Sequence, residues 1–432
     1  MFNATRACEL LVGLPGVRVL EVAEPLSLDR RLVVTVESIL ETPCCPSCRE
    51  RAWVEDRPVV ELVDLTCFGR PVRLRWRKHR WWCPKPWCPQ GSWTHEDPRI
   101  ASPRLSVTDR AGRWATVQVG RAGRAISDVA GELGANWHAV NDAVMAYGQA
   151  LLDVDVDRVG QVEALGVDEV LFARQGRWRT QAWSTSIVDV AAGKLLDVIE
   201  GRSSVGLCEW LTAMPEAWRE AICWAVLDLS GPWRLAFDTM LPDATQVADP
   251  FHLVKLANQR LDELRRRVQH ETLGHRGRSN DPLYRSRRLL TKADERLDDR
   301  GRTKLLGLLD AGDPRSEVRT AWHAKETVRG IHDIDDPDLA AQFVARLGRD
   351  LQDDSCPPEV RQLGRSITRW AEQIAAWHHA HVTNGPTEAA NNLITRVKRV
   401  AFGFRRFAHH RIRALLYAGH PNWELLATVT PR

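Results

Sequence analysis

The run Ile222-Cys-Trp-Ala-Val-Leu-Asp228-Leu229 is apolar until it meets an acid. A segment apolar on both faces belongs inside a sheet covered on both sides, and such sheets arise from strand–helix alternation. This feature alone places an α/β layer in the middle of the chain, and its neighbours agree. Residues 162–172, 180–190 and 194–199 read as successive strands, with Ala191-Ala192-Gly193 as a turn. Residues 204–221 read as an amphipathic helix, 233–240 as a short helix and 244–248 as a short strand. The order β-β-β-α-β-α-β predicts a mixed sheet under helices.

From 251 to 382 the pattern is helical. Leu253, Leu256, Ala257, Leu261, Leu264 and Val268 repeat at helical spacing, and further helices are expected near 284–310, 315–330, 337–351 and 358–381. The β/α pattern resumes at Asn384. A chain of 432 residues, 44% of them hydrophobic, can bury several cores. The expected class is therefore multidomain α+β. Its parts are a β-rich module over 1–100, a helical segment over 101–155, an α/β core over 156–252 that resumes over 383–432, and an all-helical insertion over 253–382.

Residues 17–22 and 31–39 are rich in β-branched side chains, separated by Pro25 and charged turns. After them come two cysteine pairs, Cys45-Pro-Ser-Cys48 and Cys83-Pro-Lys-Pro-Trp-Cys88. Two short paired spacings present four thiolates to one centre, which suits tetrahedral Zn²⁺ with no open position, a structural site. Cys44 competes with Cys45 for one place and Cys67 is spare. The plain alternative is a cluster of buried or disulfide-bonded cysteines.

The net charge is only +4, but two stretches, 70–85 and 396–413, hold seven bases each and no acid. Local basic stripes in a nearly neutral chain suggest polyanion contacts, against the plainer reading of solvated faces. In the first, Val72, Leu74 and Trp76 alternate with Arg73, Arg75 and Arg77, a strand with one basic face. With Lys78, Arg80 and the tryptophans Trp81 and Trp82 it is expected to meet DNA. In the second, Arg396, Lys398, Arg399, Arg405 and Arg406 are the expected backbone contacts. Between the stripes, helical spacing over 123–133, a break at Gly134-Ala135-Asn136 and a new helix from Trp137 form a helix-turn-helix pattern, although any helical hairpin gives it. Trp137, His138 and Asn141 are its expected DNA contacts.

The first residues carry no signal-peptide pattern, and no apolar run is long enough to span a bilayer. A cytoplasmic, nucleoid-associated protein with reduced or metal-bound cysteines and no membrane partner is expected.

Three acids stand out. Asp168 lies inside the first strand of the α/β region, and Asp228 ends the apolar run. Glu388 follows Pro386 near a helix N-terminus, where the dipole favours a carboxylate. Each alone has an ordinary explanation, as an ion pair, a cap or a first-turn acid. An acid on an apolar central strand is costly unless paired or metal-bound, and carboxylates suit Mg²⁺ or Mn²⁺, ions that serve phosphodiester chemistry.

The pieces Gly166-Val-Asp168-Glu, Val226-Leu-Asp228-Leu-Ser, Ala248-Asp-Pro-Phe-His252 and Asn384-Gly-Pro-Thr-Glu388-Ala-Ala-Asn-Asn, in this order after the two cysteine pairs, resemble the insertion-sequence transposases of the ISL3 group. The resemblance covers roughly residues 40–420. It implies an RNase H-like core broken by a helical insertion and an N-terminal zinc-binding domain. It also implies a metal-binding triad of Asp168, Asp228 and Glu388 that cuts DNA at the element's ends and joins them to a target. Paired ends imply a homodimer or larger assembly on double-stranded DNA. Departures are Ala389, where members often carry Gly, and Thr395, near a common Lys. Asp249 matches the strand–Phe–His motif and ranks below Asp228 as a catalytic acid; Glu169 is also close by. His252 either orients a substrate phosphate or packs, and packing or support of the acids from behind is expected. The competing readings are a DNA-binding regulator with an inactive transposase core and a metal-dependent nuclease without strand transfer.

Overall fold

The computed structural model describes residues 4–24, 31–275 and 277–431. The chain divides into two compact units. The first comprises Met1–Gly160, Phe172–Thr180 and Asn392–Arg432, and the second Gln161–Leu171 and Gln181–Asn391.

The first unit opens with α1 (Ala4–Val12), followed by β1 (Val17–Ala23), β2 (Leu32–Ser38), β3 (Trp53–Asp56), β4 (Val59–Cys67), β5 (Arg70–Arg77), β6 (Arg80–Trp82) and β7 (Ser92–Thr94). They form a four-stranded sheet, β1-β2-β5-β4, and a three-stranded one, β3-β6-β7. Val36, Leu62, Leu74, Trp76 and Ile100 make the core of the larger sheet. The single strand expected to run on to Trp82 is broken at Lys78-His79, so β5 and β6 belong to different sheets. Pro25, expected to mark a turn, lies outside the described residues.

A helical bundle follows: α2 (Asp109–Thr116) passing into a π turn, α3 (Ile126–Leu133) and α4 (Trp137–Val154). Gly134, at φ 60°, ends α3 in the left-handed conformation. Two residues on, the Asn136 side chain caps α4 by accepting from the Ala139 amide at 2.7 Å. The helix Phe407–Ala418 packs Ile412 and Leu416 into the same core. Gly148 permits the approach, since a Cβ there would stand 2.8 Å from Leu416 Cδ1.

His410, on that last helix, is fully buried beside Phe172, Phe404 and Phe407, and neither ring nitrogen has a hydrogen-bond partner. Burial, then the charge of Lys398, pushes its pKa down to about 4. The unfolded chain therefore takes up a proton that the folded chain refuses, and stability is lost as pH falls from about 6.5 toward 4. His410→Phe is expected to stabilise the fold, by ~2 kcal/mol more at pH 5 than at pH 7.5, and so to raise the melting temperature more at the lower pH. Thermal melts of both proteins at the two pH values check this; equal shifts would contradict it.

The second unit holds the first part of β8 (Ala164–Gln175), all of β9 (Thr180–Asp189) but its first residue, β10 (Lys194–Glu200), α5 (Ser204–Thr212), α6 (Glu216–Glu220), β11 (Trp224–Leu227), α7 (Gly231–Met240) and β12 (Thr245–Ala248). The sheet order is β10-β9-β8-β11-β12. β10 and β9 are antiparallel, while β8, β11 and β12 are parallel, so the sheet is mixed, as its alternation requires. The helix expected over 204–221 is two helices, because Pro215 cannot donate within a helix.

Beyond β12 come α8 (Pro250–Leu273), α9 (Pro282–Leu290), α10 (Asp299–Gly312), α11 (Glu317–Arg329), α12 (Pro337–Asp350), α13 (Pro358–Arg369) and α14 (Ala371–Ala380). The last helix with residues in this unit is α15 (Gly385–Val400). Two expected helices are again split. Asp298 caps a fresh start for α10, accepting from the Gly301 amide at 2.9 Å, and Trp370 leaves helical geometry between α13 and α14. No described helix is long and apolar enough to cross a membrane.

Candidate functional site

The parallel register of the second unit brings two acids together. Val226 of β11 pairs with Gly166 of β8, so two residues further on Asp228 falls level with Asp168. Neighbouring strands lie about 4.8 Å apart, which places two carboxylates side by side at one sheet edge. His252, in the first turn of α8, completes the group: one ligand atom from each of Asp168, Asp228 and His252 lies within 4.8 Å of the others.

The surroundings hold these groups in place. Asp168 Oδ1 accepts from the Glu169 amide at 2.7 Å, and Oδ2 accepts from Asn391 Nδ2 at 2.9 Å. Ser186 Oγ donates to Asn391 Oδ1 at 2.7 Å. Asp249 caps α8. One of its oxygens takes the His252 amide at 3.1 Å and stands 3.0 Å from His252 Nδ1, while the other takes the Asn384 amide at 2.8 Å. Both oxygens of Asp249 are thus committed to positioning His252 and the start of α15. Glu169 pairs with Arg202 at 3.3 Å.

The electrostatics are those of a site short of positive charge. Burial raises the pKa of Asp168. Burial, then the charge of Asp168, pushes Asp228 up to about 6. Asp228 Oδ1 is buried without a hydrogen-bond partner. The Asp249 hydrogen bond raises the pKa of His252 despite its burial. Burial pushes Asp249 up, but hydrogen bonds from the His252 ring and the Asn384 and His252 amides outweigh it and leave it low. Two crowded carboxylates, one oxygen lacking any donor, and an imidazole nearby fit a divalent cation of the Mg²⁺ or Mn²⁺ kind.

Glu388 is not among the three clustered groups. It sits, partly buried, in the first turn of α15, three residues before Asn391, so the two share a helix face. Asn391 and His252 are the residues that sequence reasoning undervalued. The signal for Asn391 was its i+3 spacing from Glu388.

Gly166 makes the close packing possible. A Cβ there would collide with Val190 Cγ1 and would lie 2.6 Å from Thr387 Oγ1 and 2.9 Å from Asn384 Oδ1. Gly166→Ala is expected to cost about 1–3 kcal/mol by overpacking and to push the Asn384–Thr387 segment off the strand. A thermal melt indistinguishable from wild type would contradict this.

In the first unit, Cys45, Cys48, Cys83 and Cys88 bring their sulfurs within 4.8 Å of one another. Cys45 and Cys88 are 3.6 Å apart, and Cys48 and Cys83 3.4 Å apart. Tetrahedral coordination at a Zn–S distance of ~2.3 Å requires edges of roughly 3.8 Å, so the four thiols fit zinc. Cys44 is exposed and Cys67 lies exposed at the end of β4, so the place in question belongs to Cys45.

The first basic stripe differs from expectation. Arg73 is buried and donates to the Leu133 and Gly134 carbonyls, closing the C-terminus of α3. Lys78 is buried against Trp76 and pairs with Glu96 at 2.6 Å. Arg75 pairs with Glu61 at 3.3 Å, Arg77 with Glu37 at 3.9 Å and Arg80 with Glu55 at 2.9 Å. The alternation that read as a free basic face is largely a set of cross-strand ion pairs. Asn141 is buried, with its side chain on Asp142, while Trp137 and His138 are exposed at the start of α4. Among the described residues, Arg399, Arg405 and Arg406 are exposed and have no acidic partner.

Residues 165–414 match the transposase family of the ISL3 DDE type. The match spans more than half of the chain, and the chain belongs to that family. It is 28% identical over 305 residues to the transposase for insertion sequence element IS1557 of Mycobacterium tuberculosis, covering 66% of each chain, just under two thirds of that relative. It is 23% identical over 401 residues to the transposase for insertion sequence element IS1001 of Bordetella parapertussis, covering 92% of this chain and 94% of the relative.

Proposed function

We propose that the chain cuts DNA at the ends of an insertion sequence and transfers the freed strand into target DNA, using Asp168, Asp228 and Glu388 as a metal-holding triad. The pairing of Asp168 with Asp228 around a buried oxygen that lacks any donor carries this reading. A bound Mg²⁺ or Mn²⁺ would polarise the scissile phosphate and lower the pKa of an attacking water.

The protein residues position and neutralise. Asp168 is oriented by Asn391 and the Glu169 amide, and His252 is oriented by Asp249. Glu388 supplies the third carboxylate from a helix N-terminus that favours its charge. Water attacks phosphorus, and the P–O bond to the element's 3′ oxygen breaks and leaves a 3′-hydroxyl. That hydroxyl then attacks a target phosphorus and displaces the target strand's own 3′ oxygen. The mixed sheet with parallel β8, β11 and β12 supports an RNase H-like core over 156–252 and 383–432, with 253–382 as its helical insertion.

The four-cysteine cluster would hold Zn²⁺ and keep the N-terminal module folded. DNA contact would come from Arg75 and Arg80, whose exposed ion pairs are weak enough for phosphate to displace, and from the half-exposed Arg77. Trp137 and His138 of the helix-turn-helix would add to it, as would the basic residues Arg396, Lys398, Arg399, Arg405 and Arg406. Joining two ends calls for a homodimer or larger assembly.

The test incubates purified protein with its own terminal-repeat duplex, a target plasmid and Mg²⁺ or Mn²⁺, beside Glu388→Gln. Nicked ends and joined products are expected from wild type and neither from the variant. Nicking without joining would leave a nuclease, and binding without cutting would leave a regulator.

A further inference from the structure

A cleft of about 520 Å³ opens from Asp228 and His252 between α8 and α13. We propose that this cleft grips the phosphodiester backbone of the DNA strand running on from the scissile phosphate, through Lys255, Arg260, Arg365 and Arg369. The proposal rests on the strand-cutting reading and deepens it by giving the helical insertion a part in substrate binding.

The lining follows from two helix faces. On α8, His252, Lys255 and Gln259 recur at i, i+3 and i+7. On α13, Gln362, Arg365 and Arg369 do the same. Each face runs ~10 Å along its helix, long enough to meet more than one phosphate of a strand. The cleft is lined by four cations, and its one acid is Asp228, at the catalytic end.

Most telling is how these cations are left. Elsewhere in the insertion, Arg265 pairs with Asp262, Arg267 with Glu359, Arg315 with Glu271 and Arg329 with Glu295. In the cleft, Arg260 pairs with Glu263 at 2.6 Å. Lys255 lies in the field of Asp168 and Asp228 and lowers the pKa of both against the rise that burial causes, whereas Arg365 and Arg369 are exposed and have no acidic partner among the described residues. Two unmatched guanidiniums, set along α13 away from the carboxylates that Lys255 faces, call for an anion longer than one phosphate. A DNA backbone whose scissile group lies at the carboxylates supplies that anion, and its next phosphates fall along the cleft. Trp370, buried between Arg369 and Ala371 and faced by Arg234 at 5.2 Å, stiffens the wall behind Arg369.

The test reads binding without metal, so it does not depend on cutting. Full-length wild type, Arg365→Ala/Arg369→Ala and Arg365→Lys/Arg369→Lys are titrated in EDTA with the terminal-repeat duplex at several salt concentrations. The duplexes carry single neutral methylphosphonates on either side of the cut. The alanine pair is expected to flatten the log K against log salt slope by roughly 1.4–1.8, and the lysine pair to restore it. Neutralising phosphates on one side of the cut should weaken wild type and leave the alanine pair indifferent at those same positions. An unchanged slope, or the same phosphate footprint in wild type and the alanine pair, overturns the proposal. A wild type that binds with this footprint but never nicks in Mg²⁺ or Mn²⁺ would overturn the strand-cutting reading and leave the grip standing.

Discussion

Asp228→Asn is expected to cut metal-dependent nicking by roughly 10³-fold and, in metal-free protein near neutral pH, to raise the melting temperature. The two effects have one cause. Asp228 is held in a buried place beside Asp168 with one oxygen unpaired, an arrangement that favours a bound cation and penalises the empty site. Its carboxyl sits at about 6, above the ordinary value near 3.9 in an unfolded chain. Between those values the folded protein binds more protons than the unfolded one, so stability falls as pH rises from about 4 to 6 and stays reduced above. The penalty is ~3 kcal/mol at most, and an amide that never ionises removes it. A divalent ion should stabilise wild type by mass action and leave the variant unmoved. Losing a metal-holding carboxylate should cost several kcal/mol at the transition state, roughly 10³-fold in nicking. Melts at pH 5 and 7.5 with and without Mg²⁺, beside a nicking assay, check the whole pattern. A variant that nicks at the wild-type rate, or one that melts lower than wild type in EDTA at pH 7.5, would contradict it.

The elements most legible in the sequence were those whose environment is extreme. The run ending at Asp228 is apolar on both faces, so it had to be a central strand, and β11 lies between β8 and β12. Once β8 and β11 are parallel, the meeting of Asp168 and Asp228 follows from register alone. The four cysteines were legible because their spacings admit few geometries. Less legible was whatever depends on a partner distant in sequence. Alternation over Arg73, Arg75 and Arg77 tells which side of a strand the bases occupy, but Glu61 and Glu37 across the neighbouring strands decide whether they are free. Arg73 instead closes α3, sixty residues away. His252 was expected to pack or support the acids, yet the Asp249 cap three positions earlier holds its ring beside Asp168 and Asp228. Helix breaks at Pro215 and Trp370 were passed over because apolar periodicity continues across them.

Cys83→Ser, or prolonged chelation, should unfold the small cysteine module outright, whereas Cys44→Ser and Cys67→Ser should change nothing. The core around the cluster consists of Cys45, Cys83 and Cys88, with Cys48 and Trp93 partly buried against it, and contains no aliphatic side chain. Its sheet pairs the short strands β3, β6 and β7, and every residue of β3 is exposed. So little apolar burial cannot hold a fold, and a bound ion tying four points of the chain has to supply the difference. Removing one thiolate should lower the module's melting transition by more than about 10 °C. Burial opposes ionisation of Cys45, but backbone hydrogen bonds from Cys48 and Ser47 and contacts with the thiols of Cys88 and Cys48 outweigh it and bring its pKa down to about 7. Burial pushes Cys83 up to about 12, and Cys88 is raised as well, so these thiols are protonated at neutral pH; metal uptake should release their protons, and acid should expel the ion. Trp81 of β6, buried in this module, reports the unfolding as a red shift in emission. Elemental analysis should find one zinc per chain in wild type and in the Cys44 and Cys67 variants, and none in Cys83→Ser. Weakened DNA binding should accompany that loss. Metal-free wild type, or a Cys83→Ser protein that melts and binds DNA like Cys67→Ser, would show that the four thiols are packing groups and that the module stands without an ion.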